Sequence, residues 1–226
     1  MMTIIYRTEN TSIRKEKANQ YLLRVNDWEK YKIFWVNFPF THVKVIKDKK
    51  GGTAKEFREF TIHADSIQTL AQAVKGSRNF LTYETAMLLL ADIGNQLRAL
   101  ERFGLAVPSI SEHDVVVVND KRFLYMGDYM TLKVTDGSIP IEKPYTKGEF
   151  SSPELLMTTQ IPARISSKAQ LYSLGALTAW ALTGVVPKAD GKDYERVLDR
   201  LYATKLFWAL QRCLAVDPAD RYCLII

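Results

Sequence analysis

Apolar residues come in short β-branched and aromatic runs over the first third of the chain and in helical spacing over most of the rest. Thr3 to Tyr6 has the pattern of a short strand. The charged stretch Arg14 to Lys17 leads into Tyr21, Leu22, Leu23, Val25 and Trp28, whose spacing is roughly helical. Lys32 to Phe40, His42 to Ile46 and Phe57 to Ile62 read as strands of a small antiparallel sheet, with Lys47 to Lys50 and Gly51-Gly52 as an exposed basic hairpin. Between Asp65 and Val74, the residues Ile67, Leu70, Ala71 and Val74 fall at i, i+3, i+4 and i+7. That is the stripe of a short amphipathic helix, which ends at Gly76-Ser77.

The strongest helical pattern runs from about Thr82 to Phe103, with Thr82 and Glu84 near its start and Gly104 as a stop. Val115 to Val118, the turn Asn119-Asp120 and Phe123 to Met126 form a compact hairpin pattern. Thr131 to Phe150 has little periodicity, and such a length inside a compact domain points to a functional loop. Its apolar residues Ile139, Ile141 and Tyr145 are expected to pack inward, because a large apolar side chain left in water forgoes roughly 1.5–3 kcal/mol. Helices follow over Ser167 to Leu182, Asp193 to Tyr202 and Lys205 to Leu214, with a last turn after Pro218. This order predicts an α+β protein with a β-rich, basic N-terminal lobe over residues 1–64 and a mainly helical lobe over residues 65–226.

Composition narrows the class. With 226 residues, 47% of them hydrophobic and 25% charged, the chain can bury a sizeable core and is not disordered. The net charge of +6 is diffuse, and favours an anionic partner without identifying one. Cys213 and Cys223 form no CxxC pair and the only histidines are His42, His63 and His113, which argues against structural zinc. The expectation is of reduced thiols in a cytoplasmic protein with no leader and no membrane partner, since no apolar run approaches a membrane span.

Three motifs in order give the helical block a specific likeness. Ser152-Pro153-Glu154 resembles the A-P-E that closes a protein kinase activation segment. Leu171-Tyr172-Ser173-Leu174-Gly175 resembles the kinase D-V-W-S-L-G helix start, and Asp217-Pro218-Ala219-Asp220-Arg221 the D-P-x-x-R before the last helix. The chain is similar to a protein kinase from its fourth strand onward. The resemblance implies a kinase-like fold with a reduced N-lobe and a buried Glu154–Arg221 ion pair, in which loss of one partner would cost roughly 3–5 kcal/mol. The loop from Thr131 would then be an activation segment lying over a vacant cleft.

At the positions where kinases carry their chemistry, this sequence departs from the pattern. Aligned on the hairpin, Val115 stands at the metal-binding asparagine, Ile110 at the catalytic aspartate and Pro108-Ser109 at the H-R. Asp128-Tyr129-Met130 stands at D-F-G, so Asp128 alone is left as a metal ligand. Gln170 replaces the aspartate that holds the catalytic loop backbone, an anchor that a loop without catalytic residues does not need. A rival register takes Asp114 and Asn119 as the D-x-x-x-x-N pair and restores both groups, but it moves the valine run out of a strand. No G-x-G-x-x-G lies between two strands near the start, and no V-A-I-K-like run precedes a helix.

The resemblance therefore implies a pseudokinase that serves as a protein-binding scaffold or regulatory module, with no cofactor expected and room only for weak ATP–magnesium binding. One alternative is an atypical Ser/Thr phosphotransferase using Asp114, Asn119 and Asp128. The other is a virion-associated or nucleic-acid-binding structural protein, since compressed chains of this kind resemble products of large DNA viruses, with host cytoplasm or virion as the setting. Lys44, Lys47, Lys49 and Lys50 are the anionic-partner surface. Phe34, Trp35, Phe38, Phe40, Phe57 and Phe60 read as core in preference to a base-stacking platform.

Overall fold

The computed structural model describes residues 3–52, 55–76, 81–144, 148–188 and 197–223. In chain order the elements are strands β1 (Thr3–Arg7), β2 (Thr11–Lys17) and β3 (Gln20–Val25), helix α1 (Trp28–Val36), and strands β4 (Lys44–Gly51), β5 (Phe57–His63) and β6 (Ile67–Thr69). Helices α2 (Leu70–Gly76) and α3 (Tyr83–Glu101) follow, then strands β7 (Leu105–Ala106), β8 (Val115–Val118), β9 (Arg122–Tyr125), β10 (Leu132–Lys133) and β11 (Ser138–Ile141). The last are α4 (Pro153–Met157), β12 (Ala163–Ser166), α5 (Ala169–Thr183) and α6 (Lys205–Cys213). The protein is mixed α+β with antiparallel sheets. It divides into two compact units, Met1–Gly76 with Glu112–Tyr129, and Ser77–Ser111 with Met130–Ile226. Residue 64, where the sequence pattern changes, falls inside the first unit.

In the first unit a five-stranded antiparallel sheet has the order β1-β2-β3-β5-β4. The stretch that reads as helical around Tyr21 to Val25 is a strand. Tyr21, Leu23 and Val25 are buried on one face while Leu22 and Arg24 face the other, a period of two that the extra apolar Leu22 disguises. Asn19, at φ 57°, makes the turn that pairs this strand with β2. Conversely, the strand expected over Lys32 to Phe40 is replaced by α1, whose Trp28 and Trp35 are buried at i and i+7 beside Phe34, while Lys30 and Lys32 face solvent. Rings in contact, Phe34–Trp35 at 5.1 Å and Trp35–Phe38 at 4.8 Å, override the strand propensity of this segment.

Two further expectations shift. Residues 67–69 extend as β6, because the hairpin β8–β9 offers an open edge on which Ile67 pairs with Val118 and Thr69 with Val116; only Leu70 onward is helical. The exposed basic hairpin is present as β4–β5, but its first strand runs further than expected, through Lys47, Lys49 and Lys50 to Gly51.

The second unit is centred on α3, capped by Thr82 Oγ1 accepting from the Thr85 N–H at 3.3 Å, and burying Leu89, Ile93, Leu97 and Leu100. Within it, α5 and α6 approach closely at Gly175, where a Cβ would stand 2.7 Å from Cys213 Cβ. The segment expected to lie over a cleft forms β10 and β11, and β11 pairs with β12. Ile139 and Ile141 are thereby buried with Ala106, Leu155, Ile165 and Ala169 in the core of this unit, so their place is in that core and not as filling for a cleft. Tyr145 lies outside the described residues, as does part of the helix expected over Asp193 to Tyr202.

Candidate functional site

The hairpin β8–β9 turns through Asn119 and Asp120, both at positive φ, 52° and 55°. Its register pairs Val115 with Tyr125. The residues just outside the ladder, Asp114 and Met126, stay joined by the Met126 N–H donating to Asp114 O at 2.7 Å. Asp114 and Asp128 therefore stand together at the open end of the hairpin. Around them the first unit supplies three further pieces: Tyr6 from β1, Asn10 of the β1–β2 connection with Thr11 at the start of β2, and Trp35 from α1. Thr8 Oγ1 shapes that connection by accepting from the N–H groups of Asn10 and Thr11 at 3.2 and 2.9 Å.

Asp128 is fully buried. Its Oδ2 accepts from Asn10 Nδ2 at 2.6 Å, Thr11 Oγ1 at 2.9 Å and Trp35 Nε1 at 2.9 Å. The other oxygen, Oδ1, is buried and makes no hydrogen bond of good geometry among the described residues, although the Tyr129 N–H faces the carboxylate. Burial pushes the Asp128 carboxyl above the ordinary aspartate range, against the opposing pull of the Trp35, Thr11 and Asn10 donors. Asp114 is also buried; its Oδ1 accepts from the Tyr6 hydroxyl at 3.0 Å and its Oδ2 from the Tyr129 hydroxyl at 2.8 Å. Burial raises this carboxyl too, with the two phenols drawing it back. Burial first, and Asp114 second, push the Tyr6 phenol far above its usual range.

Among the described residues, the side-chain donors on these two carboxylates are neutral: two phenols, an amide, a hydroxyl and an indole. Among the described residues no group of three or more His, Cys, Asp and Glu side chains is placed to hold a metal ion. The cluster acts as a clasp. Through one oxygen of Asp128 it ties the β1–β2 connection and α1 to the turn after the hairpin, and through Asp114 it ties β1 to the same turn.

The other residues singled out by sequence are dispersed. Asn119 is at the far end of the hairpin from Asp114, where its Oδ1 accepts from the N–H groups of Asp65 and Ser66 at 2.8 and 3.2 Å. The D-x-x-x-x-N spacing is thus stretched along a strand, and the two side chains do not meet. Val115 is core in β8, and Ile110 is core in the second unit. There the stretch from Val107 to Ile110 does have a backbone anchor, contrary to expectation: Gln170 Oε1 accepts from Val107 N–H at 3.1 Å and Ser173 Oγ from Ile110 N–H at 2.7 Å. An amide oxygen does the work that a carboxylate oxygen would. Also in the second unit, Pro153 opens α4 and Arg221, fully buried, donates to both oxygens of Glu154 at 2.6 and 2.9 Å.

Tyr6, Asn10, Thr11, Trp35 and Tyr129 were not legible as site residues. The one usable signal is Trp35, since a buried indole N–H needs an acceptor. Compared with known proteins, the chain matches no protein-family model and no curated protein sequence.

Proposed function

We propose that this chain is a catalytically inactive, kinase-like protein that works as a protein-binding scaffold or regulatory module. The observation that carries the reading is the state of Asp128, the one carboxylate left from the kinase metal and base set. Its Oδ2 is taken by Asn10, Thr11 and Trp35, so that oxygen is already engaged by protein donors where a metal-binding aspartate would offer it to a metal-bound phosphate. The β1–β2 connection is Thr8-Glu9-Asn10, without a glycine, and so lacks the backbone freedom of a phosphate-cradling loop. Support for kinase likeness comes from the element order and from the bidentate Glu154–Arg221 pair joining two of the three motifs. A phosphotransferase built on Asp114, Asn119 and Asp128 is disfavoured by the engagement of Asn119 in its turn.

The test is thermal unfolding with ATP and magnesium. A ligand at a hundredfold excess over its Kd stabilises by about 2.7 kcal/mol, or about 5–10 °C for a chain of this size. The expected shift at millimolar ATP–magnesium is below about 1 °C on the same scale. A magnesium-dependent rise of several degrees overturns the reading.

A further inference from the structure

The five-stranded sheet has one buried face and one open face, and the two carry different chemistry. Inward, Tyr6, Ile13, Leu23 and Phe60 lie in one cross-strand row and are all buried. Outward, the adjacent row runs Arg7, Ser12, Arg24, Glu59, Lys49 across all five strands, and the next runs Ile4, Arg14, Leu22, Thr61, Lys47. Lys44 continues the basic edge beside His63. Six basic side chains, Arg7, Arg14, Arg24, Lys44, Lys47 and Lys49, share this open face. Their opposing charges are few: Glu59 pairs with Arg24 at 3.0 Å and Glu16 with Arg14 at 2.7 Å. Between Arg7 and Arg14 lies a recess of about 290 Å³, lined also by Ser12 and Asn26, with Glu9 its single acidic lining residue.

We propose that this open sheet face binds the phosphate backbone of nucleic acid, without reading base sequence. Three features select that partner. Protein interfaces are built on an apolar centre depleted in charge, whereas the apolar side chains in these rows are only Ile4 and a half-buried Leu22. Interfaces with nucleic acid are polar and strongly positive, with phosphates contacted by Arg, Lys and hydroxyl or amide side chains, the set present here. Finally, the ring of Phe57 lies under the Arg24 guanidinium at 4.1 Å, so this aromatic is covered by a cation and not offered to a base. Rows two residues apart lie about 6.8 Å from each other, and strands about 4.8 Å, a lattice of cations over which a flexible phosphate chain can be laid in many registers. The inference stands on the sheet register and is independent of the Asp128 clasp.

Fluorescence anisotropy of the full chain with a labelled 20-nucleotide single strand of mixed sequence tests it. With four phosphates neutralised, affinity should fall about 50-fold between 50 and 200 mM salt. Arg7→Glu with Lys49→Glu should weaken binding at least about tenfold at 50 mM salt and reduce the salt slope by about 1.4. The charge-matched pair Lys30→Glu with Lys32→Glu, on α1, should change affinity less than about threefold under the same electrostatics. Both doubles alter exposed side chains, and an unchanged unfolding midpoint verifies the fold. Absence of binding at 50 mM salt overturns the proposal, as does an equal loss in the two doubles. Polyglutamate or phosphatidylserine vesicles bound as tightly as the strand would overturn it in favour of an acidic polypeptide or a lipid surface.

Discussion

Asp128 in the first unit and Glu154 in the second each hold distant segments together through a carboxylate, but with opposite partners. Glu154 meets a guanidinium whose three nitrogens all find acceptors: Arg221 also donates to Ala215 O at 2.7 Å and Val216 O at 2.9 Å, and lies over the Tyr172 ring. Asp128 meets an amide, a hydroxyl and an indole, all on one oxygen, with no cation among them. A bidentate ion pair keeps both partners charged and fixes their geometry. Neutral donors satisfy an acceptor without balancing its charge, so the buried carboxyl shifts toward its protonated form. The first arrangement depends on charge, the second on acceptor geometry, and substitutions can separate the two.

Breaking the ion pair has the largest expected effect. Arg221→Ala leaves Glu154 and two carbonyls without their donor and should destabilise by about 3–5 kcal/mol in urea unfolding. Asp220→Ala, one position away and exposed, should stay within about 0.5 kcal/mol. Equal small losses in the two would show that the pair does not hold the second unit together.

The clasp should respond to shape more than to charge. Asp128→Ala strands three buried donors and should cost at least about 3 kcal/mol. Asp128→Asn keeps an acceptor for them and should lie within about 1 kcal/mol of the parent. Should Asn prove as damaging as Ala, the negative charge itself would be what the site requires.

The smallest effect is in pH. For a carboxyl whose folded value lies above its unfolded value, the fold favours the protonated form. The contribution of Asp128 and Asp114 is therefore fully present below the ordinary aspartate value of about 3.9 and is lost as pH rises through the raised folded values. The stability of Asp128→Asn relative to the parent should accordingly grow as pH is raised from 4 to 8, as measured by urea midpoints. A difference that stays flat or shrinks with pH contradicts the raised carboxyl.

Local signals were sufficient wherever one surface decided the conformation. Tyr83 to Glu101 carries its own cap and stripe, and Asn119-Asp120 tolerates the positive φ of a tight hairpin turn. The pairing of Glu154 with Arg221, 67 residues apart, comes from no local signal; it is what the resemblance of their two motifs to kinase motifs implies. Local signals failed where a segment could satisfy two periods at once. Leu22 beside Leu23 blurs a strand into a helix, and the aromatic run at Phe34, Trp35 and Phe38 reads as strand until its rings find one another.

Asp114 and Asp128 were visible in the chain as acids flanking a hairpin, and the basic residues as scattered charge. Their roles come from pairing across long separations: Tyr6 with Asp114 over 108 residues, Asn10 with Asp128 over 118, and Trp35 with Asp128 over 93. Likewise Arg7, Arg24 and Lys49 share a row only because four strand pairings bring them into register. Residue order sets propensity within a turn or a ladder, because those bonds close between near neighbours. Which carboxylate is buried, which donor reaches it, and which cations share one face are set by contacts that exist only once the chain has closed on itself.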